Sequence, residues 1–274
     1  MTTIPTVTLN DGVLMPHVGF GVFQVPDDEA QRAVEAALEA GYRSIDTAMI
    51  YGNEAGVGRA LAAAAIPREE LFITTKLWVA DLGADRARPA LEASLERLGL
   101  DQVDLYLIHW PAPATDAYLD TWRELQELRG AGTRSIGVSN FLPEHLDRIA
   151  GLGGILPAVN QIELHPALQN RATTAANRRL GIATEAWSPL AQGAALDSPA
   201  VTAAAARHGV TPAQVVLRWH LQHGTVVIPK SVTPSRIAAN LDLFGFTLDD
   251  TEIAAIDALE ADGRTGPHPA AFNG

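Results

Sequence analysis

Eight short apolar runs, each typical of a β-strand, recur along this 274-residue chain and alternate with helical patterns. Such alternation is typical of α/β folds, in which helices connect the strands of a largely parallel sheet. The eight runs are His17–Phe20, Arg43–Thr47, Leu71–Lys76, Val103–His109, Ser135–Ser139, Ala158–Leu164, Ile182–Trp187 and Thr225–Ile228.

The segments between these runs carry helix signals. In Asp27–Ala40 the apolar residues fall on one helix face, and Gly41 follows as a C-terminal cap. Thr211 and Pro212 supply an N-cap and a proline at the first position of a later helix. Eight strands, each followed by a helix, predict an α/β fold of the closed (β/α)8 TIM barrel type, with residues 1–274 as a single domain.

Two further patterns bear on the fold. Thr6–Leu9 and Val13–Met15, joined by a tight turn, predict a β-hairpin that caps the amino-terminal end of the barrel. The competing fold is an open, doubly wound sheet, which usually carries G-x-G-x-x-G after its first strand. Neither Gly19–Gln24 nor Gly56–Leu61 fits that pattern, and there is no P-loop.

Composition narrows the function classes. A formal charge of −12 disfavours nucleic acid or an anionic membrane as the main partner, and there is no cysteine to form disulfides or thiolate metal sites. No apolar run is long enough to span a membrane. The segment Met1–Thr6 lacks the basic and apolar regions of a secretory signal, so we expect a cytoplasmic protein.

Four titratable residues stand at or just beyond the ends of three predicted strands. They are Asp46, Tyr51, Lys76 and His109. The carboxyl ends of barrel strands converge on one face, where chemistry is carried out. Lys76 would lower the pKa of the Tyr51 phenol, Asp46 would keep Lys76 charged, and His109 would polarise a carbonyl oxygen. The alternative is a buried ion pair beside a core tyrosine.

The motifs around these residues resemble those of the aldo-keto reductases, and nearly the whole chain is covered. The closest resemblance is to the bacterial 2,5-diketo-D-gluconic acid reductase branch. The motifs are Gly41–Gly58, Thr75–Trp78, Leu107–Pro111, Gly137–Phe141, Asn160–Pro166, Trp187–Leu190 and Ile228–Asn240.

The resemblance implies a role for each matching residue. Asp46, Tyr51, Lys76 and His109 would form the catalytic tetrad, with Tyr51 as the proton donor. The other matching positions would bind NADPH: Ser139, Asn140 and Gln161 at the nicotinamide carboxamide, Trp187 stacked on the nicotinamide ring with Ser188 and Leu190 beside it, and Lys230, Ser231, Val232, Arg236 and Asn240 around the adenosine 2′-phosphate and adenine.

The segment from Lys230 to Asn240 also has a physical reason to bind a phosphate. Lys230 and Arg236 supply positive charge, Ser231 supplies a donor, and a helix that begins at Thr233-Pro234 offers its positive end. This cluster stands out in an acidic chain. The alternative is a solvated basic helix end.

Three other features are weaker indicators of function. Phe23, Trp78 and Trp110 would line an apolar substrate pocket, as matching positions do in the family, although plain packing is an equal alternative. His220 and His223 have the spacing of a metal pair but no third ligand in view, so we expect surface histidines and no metal. The segments after Trp110 and Leu259 are short, which predicts an open pocket.

These observations together predict a monomeric, NADPH-dependent reductase of small carbonyl substrates, such as methylglyoxal-like ketoaldehydes and diketo sugar acids. Two alternatives stay open at this point. One is a Schiff-base aldolase with Lys76 as the nucleophile. The other is a noncatalytic NADPH-binding module that senses redox state.

Overall fold

The computed structural model describes residues 4–274. Met1–Thr3, on which the expectation about a secretory signal partly rests, lie outside the described residues. The strands are β1 Thr6–Thr8, β2 Leu14–Pro16, β3 Phe20–Gly21, β4 Ser44–Asp46, β5 Phe72–Leu77, β6 Val103–Ile108, β7 Thr133–Ser139, β8 Val159–Glu163, β9 Ala183–Trp187 and β10 Val226–Val227. The helices are α1 Asp27–Ala40, α2 Glu54–Ala63, α3 Ala87–Leu98, α4 Tyr118–Leu128, α5 Pro143–Gly151, α6 Arg171–Leu180, α7 Pro199–His208, α8 Pro212–Gln222, α9 Pro234–Ala239 and α10 Asp250–Asp257.

The eight strands β3 to β10 pair in chain order, and every pairing is parallel. The first and last strands also meet: Val18 bridges to Val227, and the Gly19 amide donates to the Val227 carbonyl oxygen at 2.8 Å. This seam joins the two edges, so the sheet closes on itself. The predicted (β/α)8 barrel is confirmed, and the open doubly wound sheet is wrong for this chain.

The helices form where the apolar spacing predicts them. Helix α1 begins at Asp27 and ends at Ala40, and its buried residues include Val34 and Leu38 on a single face. Gly41 ends the helix with a φ of 113°, which a residue with a side chain adopts only at a cost. The amphipathic face of α1 therefore packs into the main hydrophobic core, and the chain turns at Gly41 toward the start of β4.

The hairpin β1–β2 covers the amino-terminal end of the barrel, as predicted. The Asn10 side chain donates to the Pro157 carbonyl oxygen, and the Ser135 hydroxyl donates to Asp11, both at 2.8 Å. Met15 is fully buried against inward-facing residues of the barrel floor. With this end sealed, the opposite mouth is left for a binding site.

That mouth is formed by the carboxyl ends of the eight strands. Asp46 is the last residue of β4, Lys76 lies one residue before the end of β5, and His109 follows β6 directly. Among residues 4–274, no helix is long and apolar enough to cross a membrane, and no group of three or more His, Asp or Glu side chains could hold a metal ion.

Candidate active site

Lys76 forms the centre of a buried cluster at the mouth. Its ammonium donates to Asp46 Oδ1 at 2.6 Å and to the Thr47 carbonyl oxygen at 2.9 Å, and the side chains of Lys76 and Asp46 are almost completely buried. Burial lowers the pKa of Lys76, but the facing Asp46 carboxylate raises it, and the net pKa lies above 10.5. Lys76 is therefore a permanently charged ammonium at neutral pH.

Tyr51 reaches this cluster from a loop. It ends a short 3-10 helix, Met49–Tyr51, and Gly52 turns the chain with a φ of 68°. The ammonium of Lys76 donates to Tyr51 Oη at 3.4 Å and lies 5.0 Å from the centre of the phenol ring. The geometry thus joins the phenol to the Lys76–Asp46 pair, as the sequence predicted.

The pKa of Tyr51 differs from the expectation. Burial raises it, the Lys76 charge lowers it, and the Asp46 carboxylate raises it again, so that the net pKa lies above 10. The predicted effect of Lys76 is present, but desolvation outweighs it, and the expected net lowering is wrong. The phenol is consequently protonated at neutral pH and holds a proton that it can donate.

His109 stands beside the phenol as a neutral ring. Burial and the neighbouring Lys76 charge hold its pKa well below 6.5. Its ring centre lies 5.6 Å from that of Tyr51 and 5.2 Å from that of Trp78. A neutral imidazole can donate one hydrogen bond without competing with Tyr51 for the role of acid.

A second group of side chains continues from this cluster across strands β7 to β9. Asn140 donates to the His109 carbonyl oxygen at 3.0 Å and accepts from Trp187 Nε1 at 2.8 Å. Its φ of 63° is left-handed, which asparagine tolerates better than most residues. The Ser139 hydroxyl donates to the Gln161 carbonyl oxygen at 2.9 Å. The four residues predicted to hold and stack on the nicotinamide therefore lie together and next to His109.

Gln161 connects the nicotinamide candidates directly to the Lys76–Asp46 cluster, and it also contacts Glu185, a residue that the sequence did not lead us to select. Its Nε2 donates to Asp46 Oδ2 and to Glu185 Oε2, both at 2.8 Å. Burial, followed by the nearby Asp46 charge, raises the pKa of Glu185 to about 8. The sequence does contain a sign of this residue, because Glu185 is an acid inside an apolar strand. It stands two residues before Trp187 and therefore on the same face of β9.

The basic segment lies at a different part of the mouth, after β10. Lys230 and Arg236 are exposed, and neither forms an ion pair with a carboxylate among residues 4–274. The Ser231 hydroxyl accepts from the Thr233 amide at 3.1 Å. Val232 is exposed and Asn240 is buried. Helix α9 has six residues, so the expected contribution of a helix end is weaker than the sequence suggested.

Two predicted residues lie in the loop that follows β9. Ser188 turns the chain with a φ of 48°, and Leu190 packs, partly buried, against the main core. They lie one and three residues after Trp187, in the connection from β9 to α7.

The three predicted pocket residues differ in exposure. Phe23 is 53 % exposed and lies 5.0 Å from Tyr51 between ring centres, and Trp78 packs edge-on against His109. Trp110 is mostly buried, and the ring of Phe272 covers it with 4.5 Å between the ring centres. The short carboxyl-terminal tail thus reaches the mouth and narrows it beside Trp78.

One expectation about histidines is wrong. His220 is fully buried rather than on the surface, and its Nε2 lies 3.0 Å from the Pro189 carbonyl oxygen. Burial lowers its pKa to about 3. The helical spacing of His220 and His223 carried no information about which face of α8 packs on the barrel.

Comparison with known proteins agrees with this geometry. The model of the "Aldo/keto reductase family" matches residues 17–261. An aldo-keto reductase of Mycolicibacterium smegmatis is 54 % identical over 270 residues, which is 98 % of each chain. Methylglyoxal reductase DkgA of Escherichia coli, also called 2,5-diketo-D-gluconate reductase B, is 52 % identical over 98 % of this chain and 99 % of its own.

A solved structure gives the same result. The crystal structure of a Gox0644 mutant in complex with NADPH superposes with a TM-score of 0.94 at 46 % identity, over 99 % of both chains. The resemblance that the sequence motifs indicated is confirmed by these matches.

Proposed function

Because this chain belongs to the aldo/keto reductase family and is an oxidoreductase, we propose that it reduces small aldehydes and ketones to alcohols with NADPH. The observation that carries the proposal is the buried contact of Lys76 with both Asp46 and Tyr51 at the barrel mouth. A protonated phenol beside a permanent positive charge is suited to donate a proton to a developing alkoxide.

Each of the four residues would have a separate role in the reduction. NADPH supplies a hydride to the carbonyl carbon when it is bound. Tyr51 Oη gives its proton to the carbonyl oxygen, and the Lys76 ammonium stabilises the phenolate that is left. Asp46 keeps Lys76 charged where it is desolvated, and the neutral His109 donates a hydrogen bond that orients the oxygen.

The residues present fit NADPH. Lys230 and Arg236 are exposed cations without a carboxylate partner among the described residues, in a chain whose net charge is −12. They suit the 2′-phosphate, to which guanidinium and ammonium groups form charge-assisted bonds. Ser139, Asn140, Gln161 and Trp187 offer polar groups and an aromatic face for the nicotinamide. A related structure binds NADPH, which further supports this assignment.

The two alternatives fit less well. A Schiff-base nucleophile must lose its proton, and the pKa of Lys76 is raised rather than lowered. An aldolase would also have no use for the cations after β10. A noncatalytic sensor would not need a protonated phenol beside Lys76. We further propose a monomer, because all of these residues come from one barrel.

The test is a screen of carbonyl substrates in which the loss of NADPH absorbance is followed. Methylglyoxal is the first substrate to try, because a relative at 52 % identity is named for that reaction. We expect NADPH-dependent turnover with formation of the alcohol. Failure to oxidise NADPH with any small aldehyde, ketone or dicarbonyl, by a folded protein, would refute the proposed function. Trapping of a lysine adduct by borohydride would support the aldolase.

A further inference from the structure

Glu185 is a buried acid that takes no part in the proposed proton transfer. It is 1 % exposed in the middle of β9. In the parallel pairing of β8 with β9 it stands directly opposite Gln161, so the two side chains share the inner face of the barrel. Its Oε2 accepts from Gln161 Nε2 at 2.8 Å. Burial of a carboxyl group in this position is costly, which suggests that it serves the site.

The contacts of Gln161 decide how its amide is oriented. A single atom of the amide touches both Asp46 Oδ2 and Glu185 Oε2. Asp46 must be an acceptor there, because its other oxygen binds the Lys76 ammonium. The shared atom is therefore the nitrogen, which has two protons to give. The amide oxygen then faces away from both acids, and no donor among residues 4–274 bonds to it.

We propose that Glu185 is a positioning residue, which holds the Gln161 amide so that its nitrogen is tied to Asp46 and its oxygen is presented to the carboxamide of the nicotinamide ring. The inference rests on the proposed function, since it names the contact that the cofactor would make. Without Glu185, one proton of Gln161 Nε2 loses its acceptor, and the amide is free to rotate or turn over.

The arrangement couples cofactor binding to the proton-donating cluster. Three hydrogen bonds connect Lys76, Asp46, Gln161 and Glu185, at 2.6, 2.8 and 2.8 Å. They cross the barrel interior from β5 through β4 and β8 to β9. The titratable groups that act on Glu185 are Asp46 and Lys76, and its own raised pKa keeps it neutral at pH 7. A neutral acid can accept from Gln161 without adding a second negative charge beside Asp46.

A cofactor analogue tests this contact directly. In the 3-acetylpyridine analogue of NADP⁺ a methyl group replaces the amide nitrogen, so that it cannot donate to Gln161 Oε1. Dissociation constants for NADP⁺ and the analogue would be measured by quenching of tryptophan fluorescence. We expect the wild-type protein to prefer NADP⁺ by roughly tenfold, the effect of about one hydrogen bond.

Variants of Glu185 should change that preference. Glu185→Leu removes the acceptor, and Glu185→Asp keeps an acid but is too short to reach Gln161, so both should bring the ratio close to one. Glu185→Gln retains an oxygen that accepts from Gln161 Nε2 and should keep most of the preference. Gln161→Leu serves as the positive control and should abolish it.

The matched control is Asp104→Asn. Asp104 is also a fully buried carboxylate, but it binds Arg68 and Arg134 near the amino-terminal end of β6, far from the mouth. This variant should lower stability and leave the ratio unchanged. Folded Glu185→Leu or Glu185→Asp protein that keeps the wild-type ratio, or that binds both ligands equally more weakly, would overturn the inference. A wild-type protein that binds no NADP⁺ or NADPH would instead refute the proposed function.

Discussion

Two buried ionisable residues in the site owe their protonation states to their surroundings. One is neutral at pH 7 although it would be ionised in water, and the other stays charged despite the cost of burial. Burial keeps the Glu185 carboxyl neutral, whereas Lys76 remains charged only because Asp46 faces it at 2.6 Å. Burial keeps Tyr51 in its protonated form beside Lys76. Each group thus owes its protonation state to its burial and to the neighbour that the barrel places against it.

We expect Tyr51→Phe to lower kcat at least a hundredfold, since general acid catalysis contributes roughly 10²–10⁴-fold. The NADPH dissociation constant should change little, because only one hydroxyl is lost and it is far from the cations after β10. Steady-state kinetics and a binding titration would check both values.

The matched control for this change is Tyr106→Phe. Tyr106 is fully buried, and its hydroxyl has no hydrogen-bond partner among residues 4–274. Its removal should leave turnover intact. Wild-type turnover in Tyr51→Phe would show that the proton comes from another group.

Glu185 should make stability fall with increasing pH. Its pKa rises from 4.5 in the unfolded chain to about 8 in the folded protein. Between these values the folded protein holds a proton that the unfolded chain has released, so the free energy of unfolding decreases as pH rises and levels off above about pH 8. Glu185→Gln has no such titration.

The measurement is urea unfolding of both proteins at several pH values. The free energy of unfolding of Glu185→Gln should match that of the wild type near pH 5 and exceed it, by an amount on the order of a few kcal/mol, near pH 8.5. A difference that does not depend on pH would mean that Glu185 ionises normally inside the barrel.

Among the structural elements, the segment that runs from β10 into α9 decides the choice of cofactor in our proposal. Lys230 and Arg236 have no other partner among the described residues, so their charges are available to a phosphate. We expect Arg236→Ala to weaken NADPH roughly tenfold or more, because a charge-assisted hydrogen bond contributes about 1.5–3 kcal/mol. NADH, which lacks the 2′-phosphate, should bind almost unchanged.

Titrations with both cofactors would check this difference. Arg178→Ala is the matched control, since Arg178 is an exposed arginine in the last turn of α6 and should affect neither cofactor. Equal weakening of NADPH and NADH by Arg236→Ala would exclude a contact with the phosphate.

Helices α2 and α3 approach each other closely at Gly58. A Cβ added to Gly58 in α2 would lie 2.5 Å from the Leu98 carbonyl oxygen at the end of α3. The backbone there must move, so we expect Gly58→Ala to lower the free energy of unfolding by roughly 1–3 kcal/mol. Chemical denaturation would measure it.

Gly151 in α5 offers the comparison, because an added Cβ there has no neighbour within 4 Å. Gly151→Ala should be neutral or stabilise the protein by up to about 1 kcal/mol, since alanine has fewer unfolded conformations. If both substitutions cost the same, the close contact of α2 with α3 is not what determines the effect.

At the scale of the whole molecule, closure of the sheet brings the site together. The bridge between Val18 and Val227 joins the first and last strands, so that residues from β4 and β9 face each other across the interior. This continuity supports our proposal that the chain is a single domain. The carboxyl-terminal tail places Phe272 against Trp78 and Trp110 at this mouth.

Because the segments after Trp110 and Leu259 are short, we expect a broad substrate range centred on small activated dicarbonyls, with bulky steroids reduced poorly. A pocket with few closing loops makes few discriminating contacts, and an adjacent carbonyl makes the reacting carbon more electrophilic. Comparing kcat/KM for methylglyoxal, simple aldehydes, diketo sugar acids and steroids would check this. A single substrate that exceeds all others by several orders of magnitude, with a low KM, would contradict the open pocket.

The amino-acid sequence indicated the local elements and many of the candidate residues that meet at the barrel mouth. The apolar spacing of α1 and its glycine cap predicted both ends of that helix, and the eight strand patterns predicted the order of the barrel. Residues at strand ends, such as Asp46 and Lys76, could be assigned to one face because parallel strands end on the same side. These features depend on short-range spacing, which a single sequence contains.

The protonation states and contacts inside the mouth follow from the folded arrangement and not from local patterns. Burial raises the pKa of Tyr51 where the sequence predicted a decrease, His220 is buried where a surface position was expected, and Gln161 meets Glu185 across two strands. Each of these results depends on which atoms exclude water from a given group and which charges lie opposite it. Desolvation and long-range contacts are set by the closed barrel, and no local pattern in the sequence encodes them.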